Sequence, residues 1–164
     1  MGYDPLKSRH PGRGRQHVDS YWAATAGPPV GDDGPLWTSR EVDVAVIGGG
    51  YTGISCAYHL AARYGGDVAV LEANRPMWGC SGRNGSFVGP MLGRVPFTRW
   101  RQKWGEDGAR SLWAEANEAV ATVRNLIREG NIDCDVQPDG RTRVAHTRAR
   151  VRGLEADAAE LRHW

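Results

Sequence analysis

Apolar positions along the chain fall into short runs of different spacing, and each spacing predicts an element. Residues 42–47, VDVAVI, are nearly continuously apolar and rich in β-branched side chains, the pattern of a strand buried on both faces of a parallel sheet. Gly48, Gly49 and Gly50 follow. Ile54, Ala57, Tyr58, Leu60 and Ala61 then recur at helical spacing to about Arg63, where Gly65 and Gly66 supply a stop. Residues 67–73, DVAVLEA, repeat the strand pattern. Strand, tight turn, helix and strand within roughly 30 residues make a compact βαβ unit, so the predicted class is α/β with a Rossmann-like start.

Further on, residues 74–92, NRPMWGCSGRNGSFVGPML, carry many glycines and no sustained period, which predicts a long loop. Leu112, Trp113, Ala116, Val120, Val123 and Ile127 predict a helix over 107–129, with Gly130 as its stop. Two short strands, 133–137 and 141–146, are joined by Pro138-Asp139-Gly140, the signal of a β-hairpin. Thr147 is placed to cap a last helix with Val151, Leu154, Ala158 and Leu161 on one stripe. Residues 1–40 mix Gly, Pro and Asp with single aromatics. They read either as an irregular arm pinned to a surface by Trp22 and Trp37, or as a partly disordered leader. No stop closes the last helix and no third strand extends the sheet, so the sequence reads as the front part of something longer.

The three glycines cost conformational entropy and need a reason. With Gly53 they fit G-x-G-x-x-G at Gly48, Gly50 and Gly53. In a βαβ unit the first glycine turns the chain out of the strand, and the second admits a pyrophosphate close to the backbone. The third lets helix and strand pack together. Free N–H groups at the helix start, reinforced by its dipole, then face the anion. Glu72 ends the second strand a little over ~20 residues on, where a carboxylate accepts hydrogen bonds from an adenosine ribose. That charge disfavours a 2′-phosphate and hence NADP, while the turn alone leaves FAD and NAD open.

Composition narrows the classes further. At 164 residues the chain has room for about one ordinary domain, and its 40% apolar and 24% charged residues suit a globular protein. A formal charge of +2 is too small to make nucleic acid or an anionic membrane the main partner. No apolar run reaches the ~20 residues of a membrane helix, and no apolar signal core follows the basic N-terminus. Leu6 stands where a myristoylation signal wants Ser or Thr. Three irregularly spaced cysteines argue against a disulfide framework, so a cytoplasmic location is expected.

A second informative stretch is residues 78–86, WGCSGRNGS. Glycines around Ser81 and Asn84 suggest a backbone threaded near a ligand, and Arg83 suits either a phosphate or solvent. The combination of GGGYTG at 48–53, VLEA at 70–73 and WGCSGRNG at 78–85 resembles FAD-dependent amine and amino-acid oxidoreductases of the D-amino-acid oxidase superfamily. With the SYWAATA leader at 20–26, it is most similar to the gamma-glutamylputrescine oxidoreductase-like branch. The resemblance covers about residue 20 to the C-terminus and implies an FAD-binding flavoprotein with two domains. It implies that Gly48, Gly50, Tyr51, Thr52 and Gly53 hold the pyrophosphate region and that Glu72 takes the ribose. The loop carrying Gly79, Ser81, Gly82, Arg83, Asn84 and Gly85 would run along the cofactor.

By the same resemblance, residues 41–130 begin the FAD-binding domain and 131–164 begin a substrate domain. The implied reaction oxidises a C–N bond of a small amine or amino acid, with hydride passing to the flavin and an imine as product. Family members are considerably longer than this chain, so the substrate-facing residues belong to a C-terminal portion beyond it, and no catalytic residue is assigned. The competing readings are an NAD-binding dehydrogenase or regulatory module, and an inactive truncated product with an exposed apolar edge.

Other side chains carry weaker signals. Cys80 beside the flavin path raises covalent attachment, but free Cys is more often an inert small apolar residue. Cys56 and Cys134 are expected to pack in the interior, and His59 to lie at the surface. The scattered histidines and cysteines show no metal-ligand spacing, so no metal is expected. The Arg-rich run 140–152 reads as a solvated face.

Overall fold

The computed structural model describes residues 16–28, 31–93, 95–137, 140 and 142–164. The described residues form α1 (Tyr21–Thr25), β1 (Val44–Ile47), α2 (Tyr51–Tyr64), β2 (Val68–Leu71), α3 (Trp100–Glu129) and α4 (Arg148–His163), with 3₁₀ turns at Cys80–Gly82 and Phe97–Arg99. The chain divides into two compact units, Met1–Ser86 and Phe87–Trp164. No described helix is long and apolar enough to cross a membrane.

In the first unit β1 and β2 pair in parallel, Val44 opposite Val68 and Ile47 opposite Leu71, with α2 as the crossover between them. Gly50 occupies the N-cap of α2 in extended conformation, so no side chain of the cap residue satisfies the helix start. At the other end Gly65 turns left-handed (φ 64°) and donates its N–H to the Ala61 carbonyl, the usual glycine solution for orphan helix carbonyls. Asp43 ties the strand starts together: its Oδ2 accepts the Asp67 N–H at 2.8 Å. Val46 faces α2, whereas Ile47 and Leu71, one pleat further, face away.

Burial on both sheet faces, expected from the apolar run, is not what the strands show. Ile47 is 77% exposed, and Val44, Val70 and Leu71 also reach solvent. Two strands and one helix can cover only one face of the sheet. On α2 itself Ala57 is buried, while Tyr58 and Ala61 of the expected stripe are exposed. Cys56, expected inside, is exposed too, because it lies a residue's rotation from Ala57 on a helix with a single covered face.

The arm before β1 departs from wholly irregular structure by one short helix, α1, capped by Ser20, whose Oγ accepts the Ala23 N–H. Trp37 is 82% exposed and Trp22 half-exposed, so neither indole pins the arm. Residues 1–15 lie outside those described.

The second unit gathers its core around Phe97, Trp100 and Ala109, with Leu92, Val95, Trp104, Leu112, Trp113, Leu161 and Trp164 packed against them. Phe97, Trp100, Trp104 and Trp113 meet mostly edge to face, with centroids 5.0–6.4 Å apart, as ring quadrupoles favour. The third helix starts at Trp100, ahead of the expected residue 107, and breaks at Gly105 (φ 72°, ψ 174°). Periodicity begins after the break, so only the second segment was legible as a stripe.

Thr147 occupies the N-cap of α4, but its side chain makes no capping hydrogen bond. Leu154 and Leu161 of the expected stripe are partly buried, whereas Val151 and Ala158 are exposed. Two carboxylates add ion pairs to the packing of Leu161 against the core. Arg101 donates to both oxygens of Glu160 (2.6 and 2.8 Å), and Arg143 donates to Asp157 at 3.0 Å. The expected hairpin does not form in the described residues: 133–137 and 142–146 are irregular, and Pro138, Asp139 and Arg141 fall outside the description. An isolated two-stranded hairpin is marginal in water without a surface to cover it. Cys134, in that irregular stretch, is exposed rather than packed.

Candidate functional site

Both strands of the first unit end at the same edge, and there the chain places its glycine turn, the N-terminus of α2 and Glu72. Gly48 leaves β1 with φ 105°, a backbone state that side chains strongly oppose, while its N–H still pairs with the Leu71 carbonyl at 2.8 Å. A Cβ at Gly53 would fall on the carbonyl oxygen of Gly48, so the helix approaches the turn as closely as a bare α-carbon permits. A Cβ at Gly50 would sit 2.9 Å from Ser81 Oγ, and one at Gly49 would sit 3.2 Å from the Glu72 side chain. The turn is therefore walled by one carboxylate and one hydroxyl.

Those two groups also hold the turn. Gly49 donates its N–H to Glu72 Oε2 at 2.6 Å, and Asn74 donates to Oε1 at 3.1 Å. Tyr51 donates its N–H to Ser81 Oγ at 3.1 Å, which supplies from a distant loop the cap that Gly50 lacks. The amides of Gly50, Thr52 and Gly53 have no acceptor among the described residues. They stand at the positive end of α2, a donor set made for an anion. Each Glu72 oxygen keeps a lone pair for a hydroxyl donor, as a ribose requires.

The loop after β2 closes on itself and on α2. The Met77 N–H bonds the Gly49 carbonyl at 2.8 Å, and the Cys80–Gly82 turn presents Ser81. Gly82 has no room for a side chain, since a Cβ would run into the Met77 carbonyl. Asn84 Nδ2 donates to the Ser81 carbonyl at 2.7 Å and makes a longer 3.5 Å contact to Tyr51 Oη. Arg83 turns back onto Trp78: its Nε donates to the Trp78 carbonyl at 2.9 Å, and its guanidinium carbon lies 4.3 Å from the indole centroid. Gly79 and Gly85 are exposed, and so is Cys80.

Of the residues singled out from sequence, Gly48, Gly50, Tyr51, Gly53, Ser81 and Asn84 thus meet around one turn, Glu72 meets it through Gly49, and Thr52 lies in the first turn of α2. Arg83 is engaged by Trp78 rather than by the other site residues. Gly49, Met77 and Trp78 also belong to this arrangement, though the sequence pattern assigned none of them a site role. Gly49 was legible in principle as the middle of GGG, but no local signal marks the other two.

A recess of about 650 Å³ lies at the opposite, N-terminal ends of the strands, lined by Arg40, Glu41, Val42, Asp43, Ala45 and Asp67. Three carboxylates against one guanidinium make it unsuitable for a diphosphate. Parallel α/β units bind ligands at the carboxyl ends of their strands, where the glycine turn is.

Residues 43–164 match the family described as "DAO: FAD dependent oxidoreductase". The chain is 42% identical over 125 residues to gamma-glutamylputrescine oxidoreductase of Escherichia coli (strain K12), a match covering 76% of this chain and 29% of the relative. It is 40% identical over 108 residues to "Probable oxidoreductase OrdL" of Rhizobium meliloti (strain 1021), covering 66% of this chain and 24% of that protein. Sarcosine oxidase subunit beta of the same organism is 30% identical over 131 residues, 75% of this chain and 30% of the relative. The chain therefore spans under a third of the length of these curated relatives. No solved structure gives a significant match. By the family match over most of its length, the chain belongs to the DAO family of FAD-dependent oxidoreductases.

Proposed function

We propose that this chain supplies the adenosine-diphosphate end of the FAD site in an oxidoreductase acting on the C–N bond of a small amine or amino acid. One observation carries the reading: the amides of Gly50, Thr52 and Gly53, without an acceptor among the described residues, lie at the same strand end as the Glu72 carboxylate. The residues fit the group. Gly48 and Gly53 bring the backbone close, the open amides donate to phosphate oxygens, and Glu72 accepts from ribose hydroxyls. Ser81, Gly82, Asn84, Gly79 and Gly85 form the loop that continues along the cofactor. Arg83 acts in that loop through Trp78.

When bound, the flavin supplies the hydride acceptor for oxidation of the C–N bond. The chain's own part is to bind and orient: the helix start neutralises the diphosphate, and the carboxylate at 72 fixes the ribose and repels a 2′-phosphate. The amine substrate is inferred from the names of the relatives, gamma-glutamylputrescine oxidoreductase and sarcosine oxidase subunit beta. On this reading residues 41–130 begin the FAD-binding domain and 131–164 begin the substrate domain, with the substrate-facing groups in a portion beyond this chain. Three exposed, unpaired cysteines suit the reducing cytoplasm.

Equilibrium titration with FAD, NADH and NADPH tests the assignment. Saturable binding of FAD in preference to the two nicotinamide nucleotides supports it. Binding of NADH alone would replace it with an NAD-binding module.

A further inference from the structure

We propose that Asn84 is a positioning residue for the diphosphate cradle: it holds Ser81 against the first turn of α2 and does not itself meet the phosphates. This rests on reading the Gly48–Gly53 turn as the nucleotide site.

The hydrogen-bonding capacity of the carboxamide decides the matter. Its Nδ2 donates to the Ser81 carbonyl at 2.7 Å and reaches Tyr51 Oη at 3.5 Å, while its Oδ1 accepts the Ser86 N–H at 2.8 Å. The two ends of the amide are fixed by their partners: only a nitrogen can face the carbonyl, and only an oxygen can face the N–H. Both donor protons are thus directed within the protein, and one acceptor site remains. A diphosphate oxygen only accepts, so it could compete only for the proton of the long 3.5 Å contact to Tyr51 Oη and not for the one held by the Ser81 carbonyl.

What the carboxamide does instead is fix a strained loop. Met77 (φ 62°) and Ser86 (φ 56°) both adopt the left-handed conformation that non-glycine residues avoid, and they bracket the segment carrying Ser81. Each is held by its own amide, Met77 to the Gly49 carbonyl and Ser86 to Asn84. Between them Ser81 Oγ caps the Tyr51 N–H in place of the side chain that Gly50 cannot carry. If Asn84 releases the Ser81 carbonyl, the hydroxyl loses its aim and the start of α2 frays. The open amides then lose the alignment that an anion needs.

The test compares Asn84→Ala, Asn84→Asp and Ser81→Ala in the full chain. Asn84→Asp keeps an acceptor for Ser86 but sets a carboxylate oxygen against the Ser81 carbonyl. Without ligand, hydrogen exchange at the Tyr51 amide should accelerate about tenfold in all three variants. The Gly65 amide at the far end of α2 serves as the internal control and should not change. Unaltered Tyr51 exchange in both Asn84 variants overturns the proposal.

With FAD, Asn84→Ala and Ser81→Ala should each raise Kd about tenfold, and the double variant about tenfold as well, because both changes break one linkage. A product of the two effects, about a hundredfold, would mean that Asn84 acts independently, and it overturns the positioning role. Accelerated Tyr51 exchange in the variants together with no FAD binding by the wild type overturns the nucleotide reading instead.

Discussion

The hydrogen on the α-carbon of Gly53 sets how close α2 can come to the turn, because a methyl there would occupy the place of the Gly48 carbonyl oxygen. Neither group can yield cheaply, since both are backbone. Gly53→Ala should destabilise the first unit by about 1–3 kcal/mol and abolish detectable FAD binding, read by thermal melting and by titration. Glu72→Gln should behave differently. One of the two amides now bonded to the carboxylate, Gly49 or Asn74, would face an NH₂ group, and the ribose would lose its charged acceptor. Weakened FAD binding together with a reduced bias against NADPH is expected, measured as the ratio of the two dissociation constants. At this scale the sequence was most legible where one residue type has one use, as at the positive φ of Gly48 and the close approach at Gly53. It was least legible at Met77 and Trp78, whose roles depend on a left-handed backbone and on an arginine five positions on.

Periodicity revealed the βαβ unit and the long helix, because each buries one stripe or one face. It overreached at the hairpin, where the turn signal Pro-Asp-Gly says nothing about whether a surface exists to cover the strands. It also missed the segment before Gly105, whose few residues are too short to display a helical period. In the second unit ion pairs add to the apolar packing. Glu160 is nearly buried and takes two hydrogen bonds from Arg101, so Glu160→Ala should lower the melting temperature more than Glu155→Ala on the exposed side of α4. The hydrogen bond from His163 leads the causes that hold the Glu106 carboxyl below its ordinary value of 4.5, with Arg101 and Arg110 adding to it. A carboxyl depressed in the folded state contributes stability above its unfolded value, and that contribution disappears as pH falls through the lower, folded one. Glu106→Gln should therefore reduce thermal stability near neutral pH and match the wild type in strong acid, as a series of melting curves will show.

At the scale of the whole molecule the most telling feature, among the described residues, is exposed apolar surface. Ile47, Val70 and Leu71 are exposed on a sheet of two strands, in a chain that spans under a third of its relatives' length. Unpaired strand edges with apolar faces promote association. Sedimentation velocity should show concentration-dependent self-association that Ile47→Lys reduces. Family membership was legible from three short motifs, since their combination is more specific than any one of them. Exposure entered only through the alternative of a truncated product with an exposed apolar edge, because an apolar strand reads the same whether or not its neighbours are present.

The central claim is that bare backbone amides beyond β1, with the carboxylate at 72, bind the diphosphate and ribose of FAD. Calorimetric titration of the full chain with FAD, alongside Gly53→Ala, tests it most directly. Saturable binding by the wild type that the variant loses is the predicted result; equal binding by both, or none by the wild type, would contradict it.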